Sequence, residues 1–341
     1  MLVSQNEKSL GWNESMELLF GFAGGHLHTR MFQTMMRFSI CDLLEDGPKH
    51  YSEISKIIGF KDDSSCYRLL RYFVPHRLFN ESFTEVGVFS KTPSSTQFSK
   101  NGALKNLGFY YSQDHHYRML ESIPLTVEMG KTNGPSSVGL SNFWEFFEKS
   151  SQYKELFNQA MKDYSSLIID KTISKVDLSP FETVVDVGGS HGLVIGSLLE
   201  LHPNVNGINF DLESTLNASN EKYQHPRLSH IAGDFFKSVP EADCYLMKYI
   251  LHDWSDEKCC EILKTISKSM KPNGKIIIID LILDPSNYTK EAVFKDILMM
   301  HFFDAKERSL IDWQQLFEKC DFVIDSINSS VTPPLIIVSK K

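Results

Sequence analysis

The stretch from Glu182 to Asp211 constrains this chain more than any other, because it admits one local fold: strand, glycine turn, helix, and a second strand closing on an acid. Thr183, Val184, Val185 and Val187 form a β-branched run with no polar alternation beyond Asp186, as a parallel strand buried on both faces requires. Gly188, Gly189 and Gly192 then turn the chain with little steric hindrance, so that backbone N–H groups and the next helix's N-terminus can face a bound ligand. Leu193, Ile195, Leu198, Leu199 and Leu201 give the helix, and Pro203–Asn204 stops it. The second strand, Asn206 to Phe210, delivers Asp211, whose carboxylate can accept from both hydroxyls of a ribose. Dinucleotides and S-adenosylmethionine are both bound by such units. The run Gly188-Gly189-Ser190-His191-Gly192 does not meet the dinucleotide spacing G-x-G-x-x-G, which favours the methyl donor, although the glycines alone do not choose.

A length of 341 residues predicts two domains with a sizeable core. The net charge of −8, without a basic stripe, argues against nucleic acid as a partner. The six cysteines show no CxxC and no paired spacing, so neither a disulfide framework nor a metal site is expected. No signal peptide is visible, and the longest apolar run, Ile276 to Leu283, is short and broken by Asp280. No membrane partner and a cytoplasmic location are the resulting expectations.

In chain order, Glu14 to Leu44 reads as two helices interrupted by glycines 21, 24 and 25. A short helix opens at Tyr51, another spans Ser64 to Phe73, and Leu78 to Phe98 fits a β-hairpin, together a winged-helix pattern. Arg68 and Arg71 alone make a poor recognition surface, so a structural or dimerising role is the better reading. Residues 106–180 read as helical, with Tyr153, Phe157, Met161 and Tyr164 on one side of a helix from Ser151, a face that suits a core or a ligand wall. Beyond Asp211 strands and helices keep alternating, which predicts an α/β fold with a doubly wound, Rossmann-like sheet and ligands at the strands' carboxyl ends. The closing strands, Phe322 to Ile327 and Leu335 to Ser339, lack a helix between them and predict one antiparallel edge. The expected domains are 1–105 (winged-helix-like, dimerising), 106–180 (helical linker and acceptor pocket) and 181–341 (nucleotide-binding).

Six segments in register, VVDVGGSHG, GINFDLE, GDFF, MKYILHDWSDEKC, PNGKIIIID and KER, make the chain resemble the plant-type small-molecule O-methyltransferases, the group that includes the caffeic acid, flavonoid and acetylserotonin enzymes. The similarity spans nearly the whole chain. It implies S-adenosylmethionine as cofactor, with Gly188 against its amino-acid part, Asp211 on the ribose, Asp234 and Phe235 at the adenine, and Lys248 reaching in from the fourth strand. His252 then matches the family's catalytic base. Imidazole suits that task, since a phenol with a pKa of about 10 is mostly protonated at neutral pH. Asp280 and Glu307 map to the acids that orient the base, and Asp253 is expected near the acceptor. Tyr111, Tyr153, Phe157, Met161, Tyr164, Leu298, Met299 and Phe303 map to the acceptor pocket, whose methionine and aromatic walls suit a flat ring. No metal is implied, and the family's N-terminal region implies a homodimer.

Four positions depart from the family pattern. Asp280 stands where the plant enzymes usually carry Glu, Ser190-His191 replaces Gly-Thr, and Tyr164 stands where caffeate enzymes often have His, so a phenylpropanoid acid is not implied. A winged-helix regulator that senses a nucleotide, a nicotinamide dehydrogenase and a metal-dependent catechol methyltransferase are the competing readings. The first lacks a basic surface, the second the glycine spacing, and the third would want clustered acidic ligands.

Overall fold

The computed structural model describes residues 11–169, 171–217 and 222–341. The chain divides into two compact units, 1–117 and 118–341. Of the segment 106–180, the helix Lys105–Tyr111 therefore belongs with the first unit and the helices after residue 118 with the second.

In the first unit, the helix Trp12–Ala23 ends at Gly24 and a second follows at once, Gly25–Arg37. A third, short helix, Ile40–Leu43, follows Ser39 at φ 48°. Tyr51–Ile58 and Asp63–Tyr72 come next, the latter capped by the Asp62 carboxylate accepting from Ser64 N–H. The hairpin is shorter than its sequence span. Its strands are β2 (Phe79–Glu81) and β3 (Val88–Lys91), with β1 (Lys49–His50) antiparallel on the other side of β3. Pro93–Thr96 is a helical turn, because Thr92 and Ser95 form a capping box and Pro93 sits at its first position. Met35, Ile40, Ile54, Leu70, Phe79 and Phe89 make the core.

The second unit is built on a seven-stranded sheet of β4 (Thr183–Val187), β5 (Asn206–Asp211), β6 (Leu228–Ala232), β7 (Ala242–Lys248), β8 (Met270–Ile279), β9 (Phe322–Asn328) and β10 (Leu335–Lys340). Its order is β6-β5-β4-β7-β8-β10-β9, so the direction of winding reverses between β4 and β7 and opens a crevice at their carboxyl ends. The edge formed by the closing strands is antiparallel, with β9 outermost. β10 inserts between β8 and β9, pairing antiparallel with both, because its run Leu335, Ile336, Val338 is buried and belongs in the sheet's interior. β8 begins directly after the helix Asp256–Ser269. Pro272-Asn273-Gly274 lies inside it, with Met270 paired to Ala242 and a register shift before Cys244. One side of the sheet packs Val185, Tyr245, Ile276 and Ile278 on Ile262, Ile266, Trp313 and Phe317, and the other packs Val184, Leu246 and Ile277 on Ile195, Leu198 and Leu199. Cys260 and Cys320 are joined as a disulfide, Cα atoms 5.4 Å apart, where the spacing had suggested no pairing. The two come together only through the packing of the helices Asp256–Ser269 and Leu310–Lys319. No helix among the described residues is long and apolar enough to cross a membrane.

Candidate active site

Four strand ends meet at the crevice. After β4, Gly188 takes φ +74° and its N–H donates to Phe210 C=O at 2.8 Å; a Cβ there would lie 2.5 Å from Ile250 Cδ1. A Cβ on Gly189 would fall 2.2 Å from Asn209 Oδ1 and 2.7 Å from the Asp186 carboxylate, so the bend tolerates no side chain. At the end of β5 the Asp211 carboxylate accepts from Ser190 N–H at 2.8 Å and Leu212 N–H at 2.7 Å. Burial raises its pKa against the pull of those donors. Past β6, Asp234 accepts from Phe236 N–H at 2.9 Å and pairs with Lys237, while the Phe235 ring reaches the neighbourhood of Gly188 and meets Trp254 edge-on. Lys248 ends β7, and burial pushes its ammonium down to about 8 although Asp186 opposes the shift. Asp186 is itself pushed up to about 7 by burial, with Lys248 opposing.

The cradle fits S-adenosylmethionine on its own polar accounting. The Asp211 carboxylate accepts from Ser190 N–H, Leu212 N–H and the Thr215 hydroxyl and keeps one lone pair, and Ser190 Oγ and Asp186 Oδ2 are buried without a hydrogen-bond partner.

His252 lies in the short turn Leu251–Asp253 that follows β7. Its Nδ1–H donates to Glu307 Oε1 at 2.8 Å, Asp280 Oδ1 is 3.7 Å from the same nitrogen, and Asp253 Oδ1 is 3.5 Å from Nε2. Burial alone would lower the imidazole pKa, but Asp280, Asp253 and Glu307 outweigh it and hold the ring at about 9. Burial in turn raises Asp253 to about 7 and raises Asp280. Nδ1 of His252 and one oxygen from each of Asp280 and Glu307 lie within 4.8 Å of one another, and Asp280 Oδ2 and Glu307 Oε2 have no partner. The Asp280 carboxylate, one methylene shorter than Glu, is thus a charge near the ring rather than its hydrogen-bond partner.

Sequence reasoning passed over Arg308. Fully buried, it donates to Leu251 C=O at 2.7 Å, Trp254 C=O at 2.9 Å and Asp256 Oδ1 at 2.7 Å. These bonds clamp both ends of the turn that carries His252, and the only signal was an arginine beside Glu307 in KER. Asp296 was missed too; its Oδ1 accepts from Glu307 N–H at 3.0 Å.

The expected acceptor residues are spread over several elements. Tyr153 and Phe157, on the helix Ser151–Ile169, pack on Phe147 with ring centroids 5.8 and 4.8 Å away, and Met161 and Tyr164 follow on the same helix. Leu298 and Met299 are buried on the helix Lys290–Phe302, and Phe303 caps it, 4.6 Å from Phe143 and 5.1 Å from Trp144. Trp144 in turn stacks on Trp254, two residues past His252. Tyr164 reaches Tyr249 hydroxyl to hydroxyl at 3.1 Å, and the Tyr249 ring lies 5.1 Å from that of His252. Tyr111 lies in the first unit, half-exposed beside Tyr110.

Residues 125–323 match the family model described as the O-methyltransferase domain. O-methyltransferase 12 of Dictyostelium discoideum is 70% identical over 333 residues, 96% of this chain and 90% of that one. The chain belongs to the O-methyltransferase family. This O-methyltransferase is also 61% identical, over 96% of its length and 99% of the other's, to a Dictyostelium discoideum relative named probable inactive O-methyltransferase 11. Human N-acetylserotonin methyltransferase, solved in complex with S-adenosylmethionine, shares the fold with a TM-score of 0.86 at 21% identity, over 100% of this chain and 99% of that one. S-adenosylmethionine is the cofactor, and the enzyme is an S-adenosylmethionine-dependent O-methyltransferase. A relative named inactive at 61% identity means that overall similarity does not by itself mark the residues that turn substrate over.

Proposed function

We propose that this O-methyltransferase methylates a hydroxyl of a small aromatic, phenolic acceptor, with His252 as general base. The observation that carries the reading is the His252 Nδ1–H bond to Glu307 at 2.8 Å, which sets the tautomer and leaves Nε2 to take the acceptor's proton. The donor supplies a methyl group already activated as a sulfonium substituent. Gly188, Asp211, Asp234, Phe235 and Lys248 would hold it, the carboxylate of Asp211 accepting from the ribose. His252 Nε2 would take the proton of the acceptor hydroxyl as its oxygen gains the methyl group, the methyl–sulfur bond breaks and the donor leaves as S-adenosylhomocysteine. Glu307, Asp280 and Asp253 then balance the imidazolium. Tyr153, Phe157, Met161, Tyr164, Leu298, Met299 and Phe303 wall the flat ring.

The test is His252→Ala. Turnover of a phenol at pH 7 should fall by about two to four orders of magnitude, the range of general-base catalysis, with affinity for S-adenosylhomocysteine retained. Near-wild-type turnover at pH 7 would remove His252 from the mechanism. A cation-assisted reading has one observation in its favour, the His252, Asp280, Glu307 donor set with two unpartnered oxygens. Loss of activity in chelator, restored by a divalent ion, would select it.

Residues 1–105 are read as a winged-helix-like unit that pairs two copies. The helix Trp12–Ala23 buries none of its residues, with Trp12 80% and Phe22 84% exposed, an apolar face that a second copy would cover. We read the whole as a cytoplasmic homodimer with no nucleic-acid partner.

A further inference from the structure

Among the aromatic and thioether side chains assigned to the acceptor pocket stands one cluster of opposite chemistry. Lys295 and Glu291 lie one turn apart on the helix Lys290–Phe302 and are ion-paired at 2.8 Å. The Lys295 ammonium, its side chain 12% exposed, also donates to the Tyr164 hydroxyl, and that hydroxyl donates to Glu291 Oε1 at 2.7 Å. With its proton committed to Glu291, Tyr164 can only accept from Tyr249, whose hydroxyl is 3.1 Å away. Tyr249 is held at φ 53°, a conformation a bulky residue adopts only under constraint, between Lys248 and the His252 turn.

Lys295 thus spends two of its three N–H donors on Tyr164 and Glu291, and the third has no partner among the described residues. Its Nζ lies 4.7 Å from the Tyr249 ring centroid, which is 5.1 Å from the imidazole. Those separations together keep the ammonium within about 10 Å of His252, a reach that one substituted ring with a hydrogen bond of about 3 Å at either end matches. Lys248, 5.1 Å from the same tyrosine ring, adds a second positive charge at this end. A partly buried cation with one donor to spare, beside the Tyr164 and Tyr249 rings, is matched by an oxygen on the acceptor rather than by another methylene.

We propose that Lys295, held in place by Glu291, Tyr164 and Tyr249, is a specificity-determining residue that binds a second oxygen of the acceptor, a carbonyl or phenolate oxygen on the ring whose hydroxyl is methylated. The inference rests on the phenolic reading above and narrows it to oxygen-bearing phenols. Tyr249 and Glu291 are positioning residues in this arrangement, since they act through Lys295.

The experiment compares 4-hydroxyacetophenone with 4-ethylphenol, which have similar shape and differ in the carbonyl oxygen, using wild type, Lys295→Met and Lys295→Gln. Wild type should use the ketone, and Lys295→Met should raise its KM by about 10- to 100-fold, the worth of a hydrogen bond to a charged group. The ethyl compound's KM should change several-fold less. The intrinsic acidity of the two phenols cancels when each variant is compared with wild type. Lys295→Gln, which keeps a donor without the charge, should recover part of the preference. Calorimetry with S-adenosylhomocysteine on each variant reports whether the fold and donor site survive. Equal effects of Lys295→Met on both phenols, or none on either, overturn the specificity role while leaving the phenolic reading intact. Failure of a donor-binding wild type to methylate either phenol removes the phenolic reading and this inference with it.

Discussion

Glu307→Gln tests the electrostatics of the site most directly. The imidazole of His252 is held at about 9, well above its ordinary 6.5, although burial opposes the charge. Three carboxylates supply that lift. Asp280 at 3.7 Å and Asp253 at 3.5 Å do so through charge, and Glu307 through both charge and a hydrogen bond at 2.8 Å. A base must be unprotonated to act, so kcat/KM for a phenol should rise with pH and level off above about 9. The amide of glutamine still accepts from Nδ1–H but carries no charge. Its substitution should move the midpoint down by about one pH unit or more, each unit being about 1.4 kcal/mol of interaction. The plateau above it should fall by about threefold to tenfold, the cost of weakening a charge-assisted bond to a neutral one. Asp280→Asn should move the midpoint in the same direction, but because it makes no hydrogen bond to the ring the plateau should hold better. The assay is kcat/KM from pH 6 to 10 with 4-ethylphenol, whose hydroxyl ionises near the upper end at about 10. If both variants keep the wild-type midpoint, the profile does not report His252 and the carboxylates do not tune it. The same lift makes a stability statement. A pKa raised on folding contributes stability that is complete below 6.5 and is lost as pH rises through about 9. His252→Ala should therefore flatten the alkaline part of the wild-type melting profile.

Asp211→Ala should weaken S-adenosylhomocysteine binding strongly by calorimetry, since the ribose hydroxyls lose their acceptor; an unchanged dissociation constant in a folded variant would rule this site out. Gly188→Ala forces a Cβ to within 2.5 Å of Ile250 at φ +74°, so donor affinity should drop at least tenfold by the same titration, and a wild-type value would mean the turn relaxes freely. Light scattering at micromolar concentration should give twice the 39.0 kDa chain mass, and a monomer would refute the pairing of N-terminal units.

The sequence alone determined the parts whose physics is local. The glycines after β4, the acid at the end of β5 and the histidine just past β7 occupy their places because each is a few residues from a strand end, and a strand's boundaries follow from its own apolar run and the turn residues beside it. Doubly wound topology follows in the same way, from alternation. What depends on partners far apart in the chain was decided only by the tertiary structure. Asp280 and Glu307 both read as orienting acids, but which one hydrogen-bonds the ring depends on side-chain reach across 55 residues of chain, and the shorter Asp falls outside bonding distance. The closing strands read as an antiparallel edge and form one, but which of the two lies inside was decided by the buried face of β10, because strand order answers to burial and not to sequence order. Cys260 and Cys320, and Lys295 with Tyr164 and Tyr249, are unremarkable residues in isolation. Folding makes them a disulfide and a polar cluster by packing helices whose sequences carry no mark of one another.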